Sequence, residues 1–169
     1  MSYMTSAGTL DQMAVLGRLS ARIADLLAGH LYFPCVVIAH PEVAILRTAQ
    51  DYLMGHQKWQ AVSVGGFLSE ALLDIPFKRR QRVARQSFLE EIRQQVPGPA
   101  LCIDIDLLFE PSLALDPLAL IRECSRQTPV VVMWPGEYKD KVLSYAVPEH
   151  AHYRIWRQTD LCDQCIIPL

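Results

Sequence analysis

The sequence carries little excess charge and has no long apolar run. Sixteen Lys and Arg residues stand against eighteen Asp and Glu residues, which leaves a formal net charge of -2 at pH 7. This balance offers no global attraction for nucleic acid or for an anionic membrane, so contacts of that kind would need a local patch. No apolar stretch reaches the about 18 residues of a membrane span. The N-terminal stretch MSYMTSAGTLDQ lacks the basic region and apolar core of a secretory signal. We therefore expect a cytoplasmic protein that does not enter a membrane.

The cysteines do not form the pattern of a disulfide framework. They are odd in number and scattered, at positions 35, 102, 124, 162 and 165. Small secreted domains stapled by disulfides carry an even set at regular spacing. Because Cys35 and Cys102 fall inside apolar runs, we expect most of the cysteines to be buried thiols.

Two pairs near the C-terminus contain residue types that bind zinc. His150 and His152 form one pair, and Cys162 and Cys165 form the other. A zinc site would need both pairs to converge, and a single C-x-x-C without a second one is a weak signal. Unpaired thiols near a C-terminal edge are the favoured interpretation, and no metal is predicted.

The sequence also lacks a phosphate-binding loop where one is expected. Residues 34–48, PCVVIAHPEVAILRT, are typical of a buried strand, a tight corner and a helix. A P-loop needs glycines, a lysine and a hydroxyl there, because backbone N–H groups and the lysine must surround the phosphates. His40-Pro41-Glu42 instead supplies a proline without an N–H and an acid. No nucleotide or other cofactor is therefore predicted.

The apolar periodicity predicts alternating helices and strands. Spacings of three and four residues predict helices at 10–28, 41–54, 78–95 and 117–126, with a short helix ending near residue 74. Apolar, β-branched runs predict strands at 33–39, 59–64, 100–104 and 129–134, and short edge strands at 153–156 and 166–167. This alternation favours an α/β three-layer sandwich with a mostly parallel sheet of about five strands. We expect residues 1–169 to form a single domain with an N-terminal helix.

Two acids follow the third predicted strand. The segment LCIDIDLLFEP places Asp104 and Asp106 as in a Walker B strand, where one acid orders Mg²⁺ and another orients water. The alternative is that one of them caps the turn that leads to Pro111. Both interpretations stay open at the level of the sequence.

A cluster of five cations begins the helix at 78–95. Its members are Lys78, Arg79, Arg80, Arg82 and Arg85. Positive charges at a helix N-terminus oppose the macrodipole, which favours an anionic partner. That partner could be nucleic-acid phosphate or an acidic protein face. The third interpretation is a solvated face balanced by Glu90 and Glu91.

Two parts of the chain contain short motifs in a fixed order. In the C-terminal half these are LLFEPSL at 107–113, DPL at 116–118, SR at 125–126, WPGE at 134–137 and YAVPEH at 145–150. Upstream, residues 63–76 are SVGGFLSEALLDIP. Together these motifs resemble the BrxF family, small P-loop proteins of type 3 BREX bacteriophage-exclusion systems, in which the upstream segment is N-V-G-x-x-L-S-x-x-L-L-D-[IL]-P. The resemblance implies a P-loop NTPase-like fold.

The chain departs from that family at the corner after the first strand. Family members resemble strand-G-P-x-G-x-G-K-[ST]-A-L-L-R, whereas this chain has VVIA followed by HPEVAILR, about four residues shorter. ATP binding therefore does not transfer. The expected function is a non-catalytic (pseudo-NTPase) assembly or regulatory subunit of a prokaryotic anti-phage defence complex. Its partners would be other proteins of that system or further copies of this chain.

Two alternatives belong to other functional classes. One is an ATP-binding NTPase whose site is atypical or completed by a partner. The other is a DNA-binding accessory module that acts through the cations of residues 78–85.

Overall fold

A computed structural model describes residues 6–57 and 59–169. Its helices are α1 (Ser6–Ala28), α2 (Val43–His56), α3 (Val64–Ala71), α4 (Phe77–Arg93) and α5 (Pro117–Ser125). Its strands are β1 (Cys35–Ala39), β2 (Ala61–Ser63), β3 (Ala100–Ile103), β4 (Val130–Trp134), β5 (Tyr138–Lys139), β6 (Val142–Tyr145), β7 (Arg154–Trp156) and β8 (Ile166–Pro168). Short 3-10 helices cover Ile105–Phe109, Pro111–Leu113 and Asp163–Cys165.

The parallel sheet confirms the predicted fold class. Its strand order is β2-β3-β4-β1-β8, and every neighbouring pair is parallel. All five residues of both β1 and β4 are buried, as expected for central strands covered by helices on both faces. The molecule is thus an α/β three-layer sandwich around a five-stranded sheet.

Alternate residues of β1 pack into two separate apolar clusters. Val36 and Ile38 lie in the cluster filled by α1 and α2. Cys35, Val37 and Ala39 lie in the cluster filled by α3, α4 and α5. None of these helices, over the described residues, combines the length and hydropathy of a membrane span.

The strand predicted at 59–64 is shorter in the structure. The strand ends at Ser63 because this residue is the N-cap of the following helix, α3. Ser63 Oγ accepts a hydrogen bond there from Gly66 N at 3.3 Å. A side-chain cap of this kind satisfies an N–H group that the first helical turn leaves free.

A second, antiparallel sheet was not predicted. It has the order β5-β6-β7. The edge strand predicted at 153–156 belongs to this sheet, whereas the one predicted at 166–167 is β8 at one edge of the parallel sheet. Trp134 Nε1 donates to Ser144 O at 2.6 Å and joins the end of β4 to β6. A Cβ atom at Gly136 would overlap that same Ser144 backbone. The chain therefore turns back at Gly136 and adds the small sheet to the α4 and α5 face.

Replacing Phe88 with alanine is expected to lower the free energy of unfolding by about 3–5 kcal/mol, since a fully buried ring leaves a cavity. Phe88 is 0% exposed. Phe77 begins the same helix but is 68% exposed, and its replacement by alanine should change stability by less than about 0.5 kcal/mol. Urea denaturation followed by circular dichroism measures both. Equal losses would contradict the packing of α4.

Candidate functional site

The candidate site is the crevice at the carboxyl ends of β1 and β4. These strands are neighbours, and Ala39 stands opposite Trp134 in their register. β1 continues into α2 on one face of the sheet, whereas β4 continues into the small sheet on the other face. Open α/β sheets bind ligands where neighbouring connections diverge in this way.

The corner between β1 and α2 is a link of three residues, His40, Pro41 and Glu42. His40 N donates to Trp134 O at 3.2 Å, and Glu42 N donates to His40 Nδ1 at 2.9 Å. Pro41 has no N–H. A phosphate nest needs successive N–H groups aimed into one concavity. The corner therefore offers no such nest, and Glu42 instead puts a carboxylate-bearing residue at the N-cap of α2.

The crevice is small. It has a volume of about 50 Å³, whereas small-molecule sites occupy about 300–1,000 Å³. Asp104 and Asp106 line it from the β3 side, and the exposed Arg47 lines it from α2. The structure thus brings both predicted acids to the expected edge of the sheet, beside a space that is too small for a nucleotide.

Asp104 connects the end of β3 to the start of α3. Its Oδ2 accepts a hydrogen bond from Ser63 Oγ at 2.9 Å, and its carbonyl accepts from Gly65 N at 2.8 Å. A Cβ atom at Gly65 would lie 3.1 Å from that carbonyl oxygen. Asp104 itself has the left-handed backbone conformation, with φ 53°, which aspartate adopts more readily than most residues. These contacts give Asp104 a structural role in the fold.

Asp106 holds a buried tyrosine of the small sheet. Its Oδ1 accepts a hydrogen bond from Tyr145 Oη at 2.8 Å. The Tyr145 ring stacks on Phe109, with ring centroids 3.6 Å apart. Burial raises the pKa of Tyr145, and the hydrogen bond and charge of Asp106 raise it further. The hydrogen bond between Tyr145 and Asp106 therefore links β6 of the small sheet to the 3-10 helix that follows β3.

Neither acid caps the turn that leads to Pro111. Asp104 precedes the 3-10 helix Ile105–Phe109 that leads to Pro111 but makes no side-chain capping bond. Glu110 caps the next 3-10 helix, Pro111–Leu113, by accepting from Ser112 N at 3.4 Å. The capping alternative is therefore wrong. Sequence reasoning missed Ser63 and Tyr145 as the partners of the two acids because both lie about 40 positions away along the chain.

Two of the five cations at the start of α4 have a hydrogen-bonding or ion-pair partner within the protein. Arg80 Nε donates to Ile75 O at 2.9 Å, and Arg85 pairs with Glu123 of α5 at 2.5 Å. Glu90 pairs with Arg93 at 2.7 Å, so it does not balance the cluster as one interpretation proposed.

The remaining cations adjoin two exposed apolar residues. Lys78, Arg79 and Arg82 are exposed and form no ion pair within the described part of the chain. Just before them, Leu73 is 76% exposed and Phe77 is 68% exposed. We refer to these five residues as the apolar-basic patch.

Cys162 and Cys165 are joined by a disulfide, so the expectation of unpaired thiols is wrong for this pair. The 3-10 helix Asp163–Cys165, whose N-cap is Cys162, brings the two Cα atoms to 5.4 Å, which is within disulfide range. His150 and His152 have ring centroids 5.5 Å apart. In residues 6–57 and 59–169, no three His, Cys, Asp or Glu residues form a metal-binding group.

The other three cysteines are buried thiols, as predicted. They are Cys35, Cys102 and Cys124. Burial raises the pKa of Cys35 to about 12, and it raises the pKa of the other two thiols as well. Their sulfurs are therefore protonated and shielded from solvent.

Comparison of the chain with protein-family models, with curated proteins and with solved structures finds no match. An α/β sandwich hosts many unrelated functions. Function must therefore be argued from the crevice, from the surface and from the motifs of the sequence.

Replacing Tyr145 with phenylalanine is expected to lower the free energy of unfolding by about 0.5–1.5 kcal/mol at pH 7, since the hydrogen bond to the exposed Asp106 carboxylate is lost. The effect should depend on pH. An unfolded tyrosine loses its proton near pH 10, whereas the raised pKa keeps Tyr145 protonated in the folded chain. Wild-type stability should therefore fall as the pH rises above about 10, and the variant should lack this part of the fall.

Urea denaturation at a series of pH values measures the difference. Tyr153→Phe serves as a control for stability at pH 7, because its hydroxyl forms no hydrogen bond with the described residues and its side chain is 38% exposed. Parallel pH profiles for wild type and Tyr145→Phe would contradict the role given to the Tyr145 hydroxyl.

Proposed function

We propose that this protein is a cytoplasmic, non-catalytic (pseudo-NTPase) subunit that assembles with or regulates other proteins of a prokaryotic anti-phage defence complex. The observation that carries the proposal is the three-residue corner between β1 and α2, which lacks the donors of a phosphate nest. The defence context comes from the resemblance of the sequence motifs to the BrxF family.

Phosphoryl transfer depends almost entirely on positioning the phosphates and their Mg²⁺. Here Asp104 and Asp106 accept hydrogen bonds from Ser63 and Tyr145, which ties both acids to the fold. The crevice between them and α2 has only about 50 Å³. Arg47 is a single exposed cation at its rim, and one flexible cation cannot replace a loop of backbone donors.

Apolar packing stabilises β1 and α2, the elements on either side of the corner, and this packing does not require a nucleotide. Ile38 of β1 and Leu53 of α2 are both 0% exposed and belong to the same apolar cluster. Burying large aliphatic side chains is the main driving force for folding. A shortened corner therefore removes phosphate binding and leaves the core intact.

The apolar-basic patch supports a role in assembly. Phe77 and Arg79 belong to the residue types enriched in protein interfaces. Lys78, Arg79 and Arg82 have no ion pairs within the described residues, so an acidic face with an apolar pocket complements the patch. A second copy of this chain or another protein of the defence system could supply such a face.

Isothermal titration with ATP and Mg²⁺ is expected to detect no binding tighter than about 1 mM, because the corner has no phosphate donors. Micromolar binding to the isolated chain would overturn the proposal and favour the NTPase alternative. If heat of binding is observed, titration of the variants Arg47→Gln and Asp104→Asn tests whether ATP binds in the crevice. Loss of the signal in both variants would place the nucleotide in this crevice.

A variant with both Leu73→Ser and Phe77→Ser should recover at least about tenfold less of the partners that co-purify with the tagged wild-type chain, since central apolar anchors dominate interfaces. Leu10→Ser is the matched control, because Leu10 is 72% exposed on α1. Quantitative mass spectrometry of the purified complexes measures the ratio. Equal recovery by all three proteins would exclude this patch as the assembly surface.

DNA binding is the second candidate, favoured by the free cations at 78, 79 and 82. Three phosphate contacts predict that affinity for duplex DNA falls about 40-fold between about 50 and 200 mM salt. Arg79→Gln with Arg82→Gln should abolish retardation of the duplex, while Arg85→Gln should not, since Arg85 already pairs with Glu123. Retardation that does not weaken with salt, or that is unchanged by these substitutions, would count against this candidate.

A further inference from the structure

The Cys162–Cys165 disulfide lies at the surface directly before β8. The two cysteines flank Asp163 and Gln164 in the sequence CDQC, and Cys165 N donates to Cys162 O at 2.9 Å across the turn. This C-x-x-C turn is separate from the crevice and from the apolar-basic patch, so its chemistry does not depend on the proposed function.

The two cysteines differ in accessibility. Cys162 is exposed, whereas Cys165 is 1% exposed. A thiolate arriving from solvent therefore reaches the sulfur of Cys162 and not that of Cys165. Cys35, Cys102 and Cys124 do not compete, since all three are buried.

The disulfide is not needed to hold β8 in place. Val37 and Ile38 of β1 stand opposite Ile166 and Ile167 of β8 in a parallel register. Ile166 and Ile167 are also buried, one in each apolar cluster. A bond that closes so short a loop constrains the unfolded chain least. Its opening therefore leaves the edge strand anchored by backbone pairing and by apolar burial.

Side chains from other parts of the chain contact Asp163 and Gln164, the two residues between the cysteines. Lys141 Nζ lies 3.2 Å from Asp163 Oδ2, and Tyr138 Oη donates to Asp163 Oδ1 at 3.4 Å. Arg22 donates to Gln164 O at 3.2 Å. These contacts hold the two cysteines close together when the bond between them is open, which favours its return.

We propose that Cys162 and Cys165 form a reversible thiol–disulfide exchange site whose substrate is a dithiol. One thiolate of the dithiol attacks Cys162 Sγ, the bond between the two cysteine sulfurs breaks, and its electron pair leaves on Cys165 Sγ, which takes a proton. The second thiolate of the dithiol then attacks the dithiol sulfur of the mixed disulfide and releases Cys162 as a thiol. Two electrons and two protons pass to the protein, and the dithiol becomes a disulfide.

The test treats the folded, full-length chain with dithiothreitol, blocks free thiols with iodoacetamide, and maps the labelled cysteines by mass spectrometry. Without dithiothreitol, the five cysteines should stay unlabelled. After reduction, Cys162 should label at least about tenfold faster than Cys165, because labelling follows exposure of the thiolate. The three buried cysteines should stay unlabelled, and circular dichroism should be unchanged. In a parallel reduced sample that is freed of dithiothreitol and not alkylated, oxidised glutathione should restore the bond.

The variant Cys165→Ser leaves Cys162 as a single accessible thiol. It should release about one equivalent of thionitrobenzoate from Ellman's reagent in the folded state, while Cys162→Ser should release none. The proposal is overturned if the wild-type bond opens only after denaturant is added, which identifies a structural staple. It is also overturned if reduction makes all five cysteines react together, or if oxidised glutathione fails to restore the bond of the reduced, unalkylated chain.

Discussion

The parallel pairing of β1 with β4 holds the remaining elements in their places. The two strands run side by side from Cys35 and Val130 to Ala39 and Trp134, and every residue in both is buried. Strands buried on both faces must be covered by helices on both sides, because any uncovered face would expose a continuous apolar surface to water. The same pairing brings the end of each strand to one edge of the sheet. From that edge the chain leaves to opposite faces, and the crevice lies between the two connections.

Both acids that line the crevice have structural partners in the fold. Asp104 accepts from the N-cap residue of α3, and Asp106 accepts from a buried tyrosine of the small sheet. Removal of either acid would leave a hydroxyl without its partner, which costs stability. The acids therefore have a structural reason to remain where a phosphate loop is absent.

The surface was only partly predictable from the charges along the chain. Five cations near the start of α4 look equivalent in the sequence, yet Arg80 is bonded to a carbonyl and Arg85 to Glu123. Which cations stay free depends on neighbours that come from α5 and from the preceding turn. The same holds for Phe77 and Phe88, which share one helix but differ completely in burial, because only the second faces the sheet. The small antiparallel sheet was missed for a similar reason, since the bond from Trp134 to Ser144 joins a strand end to a segment that follows a loop.

Local sequence was enough to predict the helices, the buried strands, the α/β class and the lack of a phosphate loop. These features follow from apolar periodicity, from β-branched runs and from the residues of a single corner, His40 to Glu42. The partners of Asp104 and Asp106, the division of the cations and the second sheet became visible in the folded chain alone, because they depend on contacts between residues far apart in the sequence. The disulfide between Cys162 and Cys165 also required the three-dimensional structure. It depends on a 3-10 turn that brings the Cα atoms of the two cysteines to 5.4 Å, which neither their spacing nor their number reveals.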